Sequence, residues 1–329
     1  MLIGNMAEFL RVIKRFYGRI QGARAELKKS ISSELGGEYT FINRSRGCNQ
    51  LCIVLAGYKE PVWEIVFKRL KIALTDDIDV CIMTSGLVNE KLKDICEQNN
   101  WSYLSTKVNK LTLIQNIAID LHKKAEFIFK IDEDMFIPKD FFGIMKKTYI
   151  EAQKNSRYEI GFVGSLTPIN GFGYVRILER LNLVEKWERK FGKLYYSEGL
   201  HHHTSILDNP EAAKFMWGSE CEILRNIDAL TEEFKKGKIR YSICPMRYSI
   251  GAVLFERTSW LDWGMFPVDG GNGLGADEER MCYWAMFHTK AIIVAENLVT
   301  GHLGYGPQSK DMMDFFEKHQ EWFDIDSEK

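Results

Sequence analysis

The chain has 329 residues, of which 45% are hydrophobic, enough to bury a large core in one large domain or two closely packed ones. Its 44 Lys and Arg residues nearly balance its 45 Asp and Glu residues, so the net charge of −1 gives no indication of a nucleic-acid-binding protein. The seven Cys residues are scattered and contain no CxxC pair, which favours reduced thiols and a cytoplasmic protein.

Residues 1–45 are predicted to form an amphipathic helical segment that ends in a loop. Apolar side chains recur on a broad helical stripe. Residues 1–30 contain seven Lys and Arg residues and two Glu residues, which gives a local charge of +5. Such a helix can lie on the inner face of an anionic membrane, or pack on the protein body or on another subunit of a homo-oligomer. Its charges interrupt any signal-peptide core, and no stretch approaches the roughly 20 apolar residues of a membrane span.

From residue 50 the chain alternates between short apolar runs and amphipathic helices. Strands are predicted over 50–58 (with a turn at Gly57), 79–86, 101–106 and 126–131. Helices are predicted between them over 61–74, 89–100 and 111–124. Repeated β-α units imply a parallel sheet covered on both faces, whose ligands bind beyond the carboxyl ends of the strands.

Three carboxylates, Asp132, Glu133 and Asp134, directly follow the last of these strands. Like charges in contact repel and a carboxylate resists burial, so other groups must neutralise them. An Asp-x-Asp pair at the carboxyl end of a strand suits Mg²⁺ or Mn²⁺, and protein-bound Mg²⁺ usually takes its remaining ligands from phosphates. The pattern predicts a metal and a diphosphate held by Asp132 and Asp134; a solvated turn or a helix cap is the alternative.

The second half of the chain is less regular. It is predicted to contain a strand over 160–169, a charged and mostly helical insertion over 176–240, a strand over 247–260, a Gly-rich loop running into a helix over 267–290, a strand and loop over 291–306, and a helical tail over 311–329. Within the insertion, His201–His203 are predicted to lie in an acceptor-side loop, because consecutive side chains point in different directions and rarely share one ion.

The segments CIVLAGYKEP, IDVCIMTSG and KIDEDMFIP resemble the donor half of the GT-A glycosyltransferases and are most similar in style to glycosyltransferase family 2. The resemblance covers residues 50–140 well and 245–306 in outline. It implies a Rossmann-like α/β fold with a mostly parallel central sheet flanked by helices. Residues 46–310 would form this domain, with a nucleotide-binding half over 50–140 and an acceptor half over 245–306.

The resemblance also assigns donor-binding residues. In this family the loop after the first strand holds the nucleotide base, and Asp-x-Asp binds the metal and the diphosphate. The residues expected to contact the donor are Ala56, Gly57, Tyr58, Lys59, Asp132 and Glu133. Lys110 precedes a helix and is a candidate phosphate contact, as are Lys130 and Arg280, with a solvated cation as the alternative for each. His302, in the Gly-flanked loop TGHLGYG, is expected to be the third metal ligand, with an ordinary surface or core His as the alternative.

GLGADEERMCYWAM resembles the acidic motif that opens a helix beside the acceptor site of this family. The family's catalytic base is the Asp of an Glu-Asp pair, and here that pair reads Ala276-Asp277, followed by Glu278. Asp277 is therefore the expected base and Glu278 its rival. An acceptor hydroxyl must lose its proton as it attacks the anomeric carbon. Helix capping is the alternative role for both carboxylates.

The resemblance implies an inverting enzyme of surface polysaccharide synthesis that uses Mn²⁺ or Mg²⁺. It would move a sugar from a nucleoside-diphosphate sugar, a UDP-sugar by expectation, to a hydroxyl of a glycan or lipid-linked glycan. One alternative is a sugar-nucleotide pyrophosphorylase, which would carry a Gly-rich loop with a basic residue after the first strand, a pattern that LAGYKEP matches poorly. The other is a non-catalytic glycan-binding or scaffold protein, which need not keep Asp-x-Asp, Asp277 and His302.

Overall fold

The computed structural model describes residues 38–197, 204–268 and 271–325. Of the predicted amphipathic helical segment over residues 1–45, with its proposed membrane or subunit contacts, residues 1–37 lie outside these ranges, and so do His201–His203. Within the described part of the chain, no helix is both long enough and apolar enough to cross a bilayer.

The chain alternates strands and helices as far as residue 166 and is largely helical between the later strands. The strands are β1 Tyr39–Ile42, β2 Gln50–Leu55, β3 Ile78–Ser85, β4 Ser102–Thr106, β5 Phe127–Asp132, β6 Met135–Phe136, β7 Ile160–Leu166, β8 Tyr241–Cys244, β9 Ala252–Glu256, β10 Ala291–Val299 and β11 Gly301–His302. The helices are α1 Trp63–Ala73, α2 Glu90–Gln98, α3 Leu111–Leu121, α4 Phe141–Asn155, α5 Gly173–Arg180, α6 Val184–Phe191, α7 Thr204–Asp208, α8 Pro210–Met216, α9 Ile227–Phe234, α10 Arg257–Asp262, α11 Ala276–Phe287, α12 Ser309–Lys318 and α13 Gln320–Phe323.

Local signals in the sequence set several of these boundaries. Pro61 lies in a single 3-10 turn that leads into α1, where its missing N–H has no helical partner to lose. The side chain of Asn89 caps α2 by accepting the N–H of Leu92 at 3.0 Å. These are the positions where the sequence predicted helices to begin, so the β-α alternation of the first half is confirmed.

Among the described residues, nine strands form one sheet in the order β1-β4-β3-β2-β5-β9-β7-β10-β8. The pairs β2–β3, β2–β5, β3–β4 and β7–β10 are parallel. Because β5 and β7 both pair antiparallel with β9, the strands β2, β3, β4, β5, β7 and β10 all run in one direction. The predicted α/β fold with a mostly parallel central sheet is confirmed.

The central strands are buried along nearly their whole length, as expected for a sheet covered by helices on both faces. Every residue of β3, β4, β7 and β10 is buried. The side chains between the sheet and its helices form one continuous hydrophobic core that extends from Leu51 to Phe323. This packing fixes the carboxyl ends of the parallel strands, where the candidate site lies.

Some predicted elements differ from the structure. The strand predicted over 247–260 is wrong in extent, because β9 ends at Glu256 and α10 begins at the next residue. The sequence also missed β1, in a segment predicted as a loop, and β8. Both are four-residue strands at the edges of the sheet, with partly exposed side chains that leave no apolar run to detect. The described residues between β7 and β8 form α5 to α9, and those after β11 form α12 and α13; the insertion over 176–240 and the tail over 311–329 stay predictions as domain divisions.

Candidate active site

Three different sets of partners neutralise the three consecutive carboxylates. Asp132 ends β5, and Glu133 and Asp134 form the turn into β6, at the carboxyl ends of the parallel strands. Glu133 and Asp134 are buried, whereas the side chain of Asp132 is 36% exposed. The clustered negative charge is therefore stable because each carboxylate has its own donors.

Glu133 holds the turn that follows β2. Its Oε2 accepts the backbone N–H groups of Gly57, Tyr58 and Lys59 at 2.9, 3.1 and 3.0 Å. The same oxygen accepts the indole N–H of Trp63 at 2.6 Å. Four donors converging on one charged oxygen fix the turn firmly. The contact that the sequence analysis predicted between Glu133 and the donor stays a prediction, since the carboxylate is engaged with the protein itself.

The turn after β2 is held by backbone hydrogen bonds and contains a glycine with a positive φ. Ala56 is buried and its N–H donates to the Met83 carbonyl at 2.9 Å. Gly57 has a φ of +145°, a region that residues with a side chain rarely adopt. The Tyr58 ring is 62% exposed, and its hydroxyl lies within hydrogen-bonding distance of Ser85 O and Asn109 Nδ2, at 3.3 and 3.4 Å. The predicted base-binding turn therefore presents a restrained aromatic ring to solvent.

Asp134 has two cationic or potentially cationic neighbours on one oxygen. Its Oδ2 lies 2.5 Å from the Lys59 ammonium and 3.2 Å from His302 Nε2. Burial alone would raise the pKa of Asp134, but His302 and Lys59 outweigh it and hold this pKa well below its usual range. The structure thus brings together Asp134 and His302, which the sequence analysis predicted as metal ligands.

A short pair of strands places His302 beside Asp134. The strands β6 and β11 pair antiparallel, with His302 opposite Met135 and Gly301 opposite Phe136. The N–H of Leu303 then donates to the Asp134 carbonyl at 3.2 Å. Two residues of backbone pairing are therefore enough to bring together side chains that are distant in the sequence.

Trp217, from the helical insertion, supports β11. Its indole N–H donates to the His302 carbonyl at 3.0 Å, and its ring packs edge-to-face on Phe136 at 5.7 Å between centroids. A Cβ on Gly301 would lie 2.2 Å from this ring, so only Gly allows the approach. One role of the insertion over 176–240 is therefore to hold the strand that carries His302.

A buried Lys links Asp132 to Asp277, the predicted catalytic base. Lys130 lies within β5 and is 2% exposed. Its ammonium donates to Asp132 Oδ1 at 2.7 Å and to the Ile250 carbonyl at 3.2 Å, and lies 3.7 Å from Asp277 Oδ2. Burial alone would lower the pKa of Lys130, but the two carboxylates outweigh it and raise this pKa. The end of β5 and the start of α11 therefore meet through one ammonium group.

The two candidate bases lie in the first turn of α11 and have different partners. Asp277 Oδ2 accepts the Gln115 side-chain N–H at 3.0 Å, and its Oδ1 accepts the N–H of Glu278 at 2.9 Å. Glu278 forms an ion pair with Arg247. Burial raises the pKa of Glu278 in spite of this guanidinium. Both carboxylates are held in place, Asp277 by an amide and an ammonium and Glu278 by a guanidinium.

Lys110 connects the two halves of the fold. It precedes α3, and its ammonium donates to the Val268 carbonyl at 2.5 Å. The next residue, Leu111, donates its N–H to the Asn272 carbonyl at 2.8 Å. The predicted contact between Lys110 and phosphate stays a prediction, because its ammonium is bound to the loop that leads into α11.

Asp134 and His302 fit a divalent ion as a pair. Their oxygen and nitrogen lie 3.2 Å apart, close to the spacing of about 3.0 Å for neighbouring ligands of an octahedral ion at about 2.1 Å. The carboxylate of Asp132 is instead bound to Lys130. Across the described residues, no group of three or more His, Cys, Asp or Glu side chains is placed to hold an ion. The three predicted ligands therefore do not form a complete shell, and a bound ion needs further oxygens, which a diphosphate supplies.

Sequence reasoning missed several supporting residues of the site. Gln115 and Arg247, which hold the two candidate bases, lie in stretches without a motif. Trp217 lies in a charged helical segment whose packing cannot be read from its periodicity. Lys130 was considered only as a phosphate contact, but it also carried a signal for its role here, since a Lys within the apolar run FIFKI needs a buried partner of opposite charge.

No protein-family model matches this chain, and no curated protein sequence matches it. Its backbone is similar to that of the mannosyltransferase PcManGT from Pyrobaculum calidifontis in complex with GDP-Man and Mn²⁺, with 12% identity, a TM-score of 0.44, and coverage of 87% of this chain and 64% of that one. It is also similar to residues 1–349 of S. aureus TarS, with 11% identity, a TM-score of 0.42, and coverage of 81% and 64%. For GalNAc-T7 with UDP, GalNAc and Mn²⁺ the identity is 10%, the TM-score 0.38, and the coverage 82% and 48%.

The chain therefore spans less than two thirds of each of these three structures. All three TM-scores lie below 0.5.

Proposed function

We propose that this protein is a metal-dependent glycosyltransferase. It would move a sugar from a nucleoside-diphosphate sugar, a UDP-sugar by expectation, to a hydroxyl of a glycan or lipid-linked glycan. One observation carries the proposal: Asp134 lies against His302 just after β5, and Asp277 lies 3.7 Å from the ammonium of Lys130 within β5, so the proposed metal ligands and the proposed base all lie next to this strand. In an inverting transfer of this kind, a cation stabilises the leaving diphosphate and a base takes the proton of the acceptor hydroxyl.

The donor is proposed to bind along the turn after β2 and the end of β5. The exposed Tyr58 ring is a surface on which the nucleotide base can stack, and Glu133 keeps the turn in position. Asp134 and His302 are the protein ligands that fit Mn²⁺ or Mg²⁺, and Asp132 remains a predicted donor contact. When bound, the metal stabilises negative charge on the leaving diphosphate.

Asp277 is proposed to act as the base. As the acceptor oxygen forms its bond to the anomeric carbon, the bond from that carbon to the diphosphate oxygen breaks. The acceptor proton passes to the Asp277 carboxylate, and the nucleoside diphosphate leaves with the bonding electrons. Gln115 and Lys130 orient the carboxylate for this transfer. A single displacement of this kind inverts the anomeric centre, and Glu278 remains the rival base.

The acceptor is proposed to bind along α11. A cleft of about 510 Å³ is lined by Glu279, Arg280, Tyr283 and Met286 of this helix, together with Arg247. Its mixture of charged and aromatic side chains suits sugar hydroxyls and sugar rings. The proposed setting is surface polysaccharide synthesis at the cytoplasmic side of a membrane. All seven cysteines are free thiols, which fits a reducing compartment.

A thermal-shift panel tests the proposal. The wild type is heated with UDP, GDP, CDP or ADP, each with and without Mn²⁺. A ligand present at 100 times its dissociation constant adds about 2.7 kcal/mol. With an unfolding entropy of about 2.1 cal/mol/K for each of the 329 residues, this corresponds to a rise in Tm of about 4 °C.

We expect one diphosphate to raise the Tm only with Mn²⁺. Asp134→Ala should lose this shift, and Asp277→Asn should keep it, because Asp277 is proposed to act on the acceptor. The panel is repeated with UTP, GTP, CTP and ATP, and a shift with one of these triphosphates but with no diphosphate would favour a pyrophosphorylase. If no nucleotide shifts the Tm, the transferase proposal is wrong and a scaffold role is favoured.

A further inference from the structure

The position of the Lys59 ammonium is not explained by the predicted role of this residue in binding the nucleotide base. Its ammonium lies 2.5 Å from Asp134 Oδ2, the same oxygen that faces His302 Nε2. This is the oxygen that a metal bound to Asp134 and His302 would take. The cation that occupies this position in the structure is therefore the side chain of the protein itself.

The surroundings of Lys59 allow its ammonium group to move while its backbone stays fixed. The backbone N–H donates to Glu133 Oε2 at 3.0 Å, so the Cα is held by the same carboxylate that fixes the turn. The side chain is 30% exposed, so part of it is in contact with solvent. A Lys side chain carries a compact ammonium on a flexible four-carbon chain, so its charge can be repositioned without disturbing the backbone.

Burial explains why Asp134 needs this partner. Asp134 is 3% exposed, and a buried carboxylate without a counter-charge is strongly unfavourable. A divalent ion and an ammonium at contact distance from one oxygen would also repel each other. Lys59 and the metal therefore compete for Asp134, unless a further negative charge arrives for Lys59 to bind.

We propose that Lys59 holds the metal position on Asp134 in the free protein and moves onto the donor diphosphate when donor and metal bind together. This inference rests on the proposed function and deepens it. It predicts that metal binds weakly alone and tightly with a nucleoside diphosphate. By thermodynamic linkage, the nucleotide then also binds more tightly with metal, by the same factor.

The test is a titration of Mn²⁺ followed by its electron paramagnetic resonance signal, with and without the diphosphate that the thermal-shift panel identifies. The variant is Lys59→Met, and the matched control is Lys91→Met, which removes an exposed ammonium paired with neighbouring Glu60. We expect Lys59→Met to bind Mn²⁺ alone about tenfold more tightly and the diphosphate with Mn²⁺ about fivefold more weakly, within the usual range of coupling between sites. Lys91→Met should match the wild type in both titrations.

A second measurement covers the case in which Lys59→Met is too unstable to titrate. Mn²⁺ alone should then raise the Tm of Lys59→Met and leave the Tm of the wild type nearly unchanged, since only the variant lacks the ammonium that competes with Mn²⁺ for Asp134. If the wild type binds the diphosphate with Mn²⁺ but Lys59→Met and Lys91→Met respond alike to Mn²⁺ alone, the inference is overturned and the proposed function stands. If no diphosphate binds the wild type, the proposed function fails and the inference fails with it.

Discussion

Replacing Glu133 with Ala tests the most unexpected contact of the site. The middle acid of Asp132–Asp134 accepts four N–H groups on its Oε2, three from residues 57–59 and one from the Trp63 indole. A side chain that bound the donor directly would leave these groups without an acceptor. The perturbation therefore separates a role in holding the turn from the donor contact predicted from the sequence.

The size of the effect follows from the number of donors. A hydrogen bond to a charged acceptor contributes about 1.5–3 kcal/mol, and water that enters the vacated space recovers part of this. At a net loss of about 1 kcal/mol for each of four donors, Glu133→Ala should lower the free energy of unfolding by about 4 kcal/mol. With about 2.1 cal/mol/K of unfolding entropy per residue, the Tm should fall by about 6 °C. Glu133→Gln keeps one oxygen and should lose about half as much.

Urea denaturation followed by tryptophan fluorescence measures these differences. The matched control is Glu60→Gln in the same turn, whose exposed carboxylate pairs with Lys91 and which should change stability by less than about 0.5 kcal/mol. Affinity for the nucleoside diphosphate with Mn²⁺ should fall in Glu133→Ala together with stability. A variant as stable as the wild type that has nevertheless lost nucleotide affinity would refute the account and support direct donor contact.

Three further predictions concern the proposed catalytic base Asp277, the contact of Trp217 with His302, and the buried carboxylate of Asp79. Asp277→Asn should lower kcat about 10²- to 10⁴-fold in a sugar-transfer assay while donor affinity is kept, and Glu278→Gln should mainly raise the KM for the acceptor; the reverse pattern would exchange their roles. Trp217→Phe removes the indole N–H bond to the His302 carbonyl and should cost about 1–2 kcal/mol in urea denaturation, with weaker Mn²⁺-dependent nucleotide binding; unchanged binding would contradict the supporting role. Burial would raise the pKa of Asp79, but bonds from the Ser45 hydroxyl and the backbone N–H groups of residues 46 and 48 lower it. The stability advantage of the wild type over Asp79→Asn should therefore be full above the usual Asp pKa of 3.8 and be lost as the pH falls through the lowered one; an advantage that persists at the lowest pH would contradict this.

The first half of the fold was predictable because its signals are local. Apolar runs, Pro61 and Asn89 mark strands and helix starts without reference to distant residues. The edge strands β1 and β8 were not predictable, because they exist through pairing with β4 and β10 and not through their own patterns. The extent of β9 was overestimated for a related reason, since the helix Arg257–Asp262 follows it directly and no side-chain cap marks the start of that helix.

The site was predictable in its residue types and less so in its contacts. Asp134 and His302 were expected together, and two residues of pairing between β6 and β11 bring them there. The direction in which each carboxylate of the turn points could not be predicted from the sequence. Asp132 was therefore expected to bind the metal, whereas in the structure its carboxylate forms an ion pair with Lys130. Lys59 was expected to contact the nucleotide base, and its ammonium instead forms an ion pair with Asp134. A buried carboxylate needs a partner of opposite charge, and which residue supplies it depends on the folded structure.

The most direct measurement is a crystal structure of the wild type with Mn²⁺ and the diphosphate identified by thermal shift, collected at a wavelength where Mn²⁺ scatters anomalously. The account predicts one anomalous peak about 2.0–2.2 Å from an Asp134 oxygen and from His302 Nε2, with diphosphate oxygens completing the shell. The nucleotide base should lie against Tyr58. A diphosphate bound away from β5, or a Mn²⁺ peak that touches neither Asp134 nor His302, would contradict it.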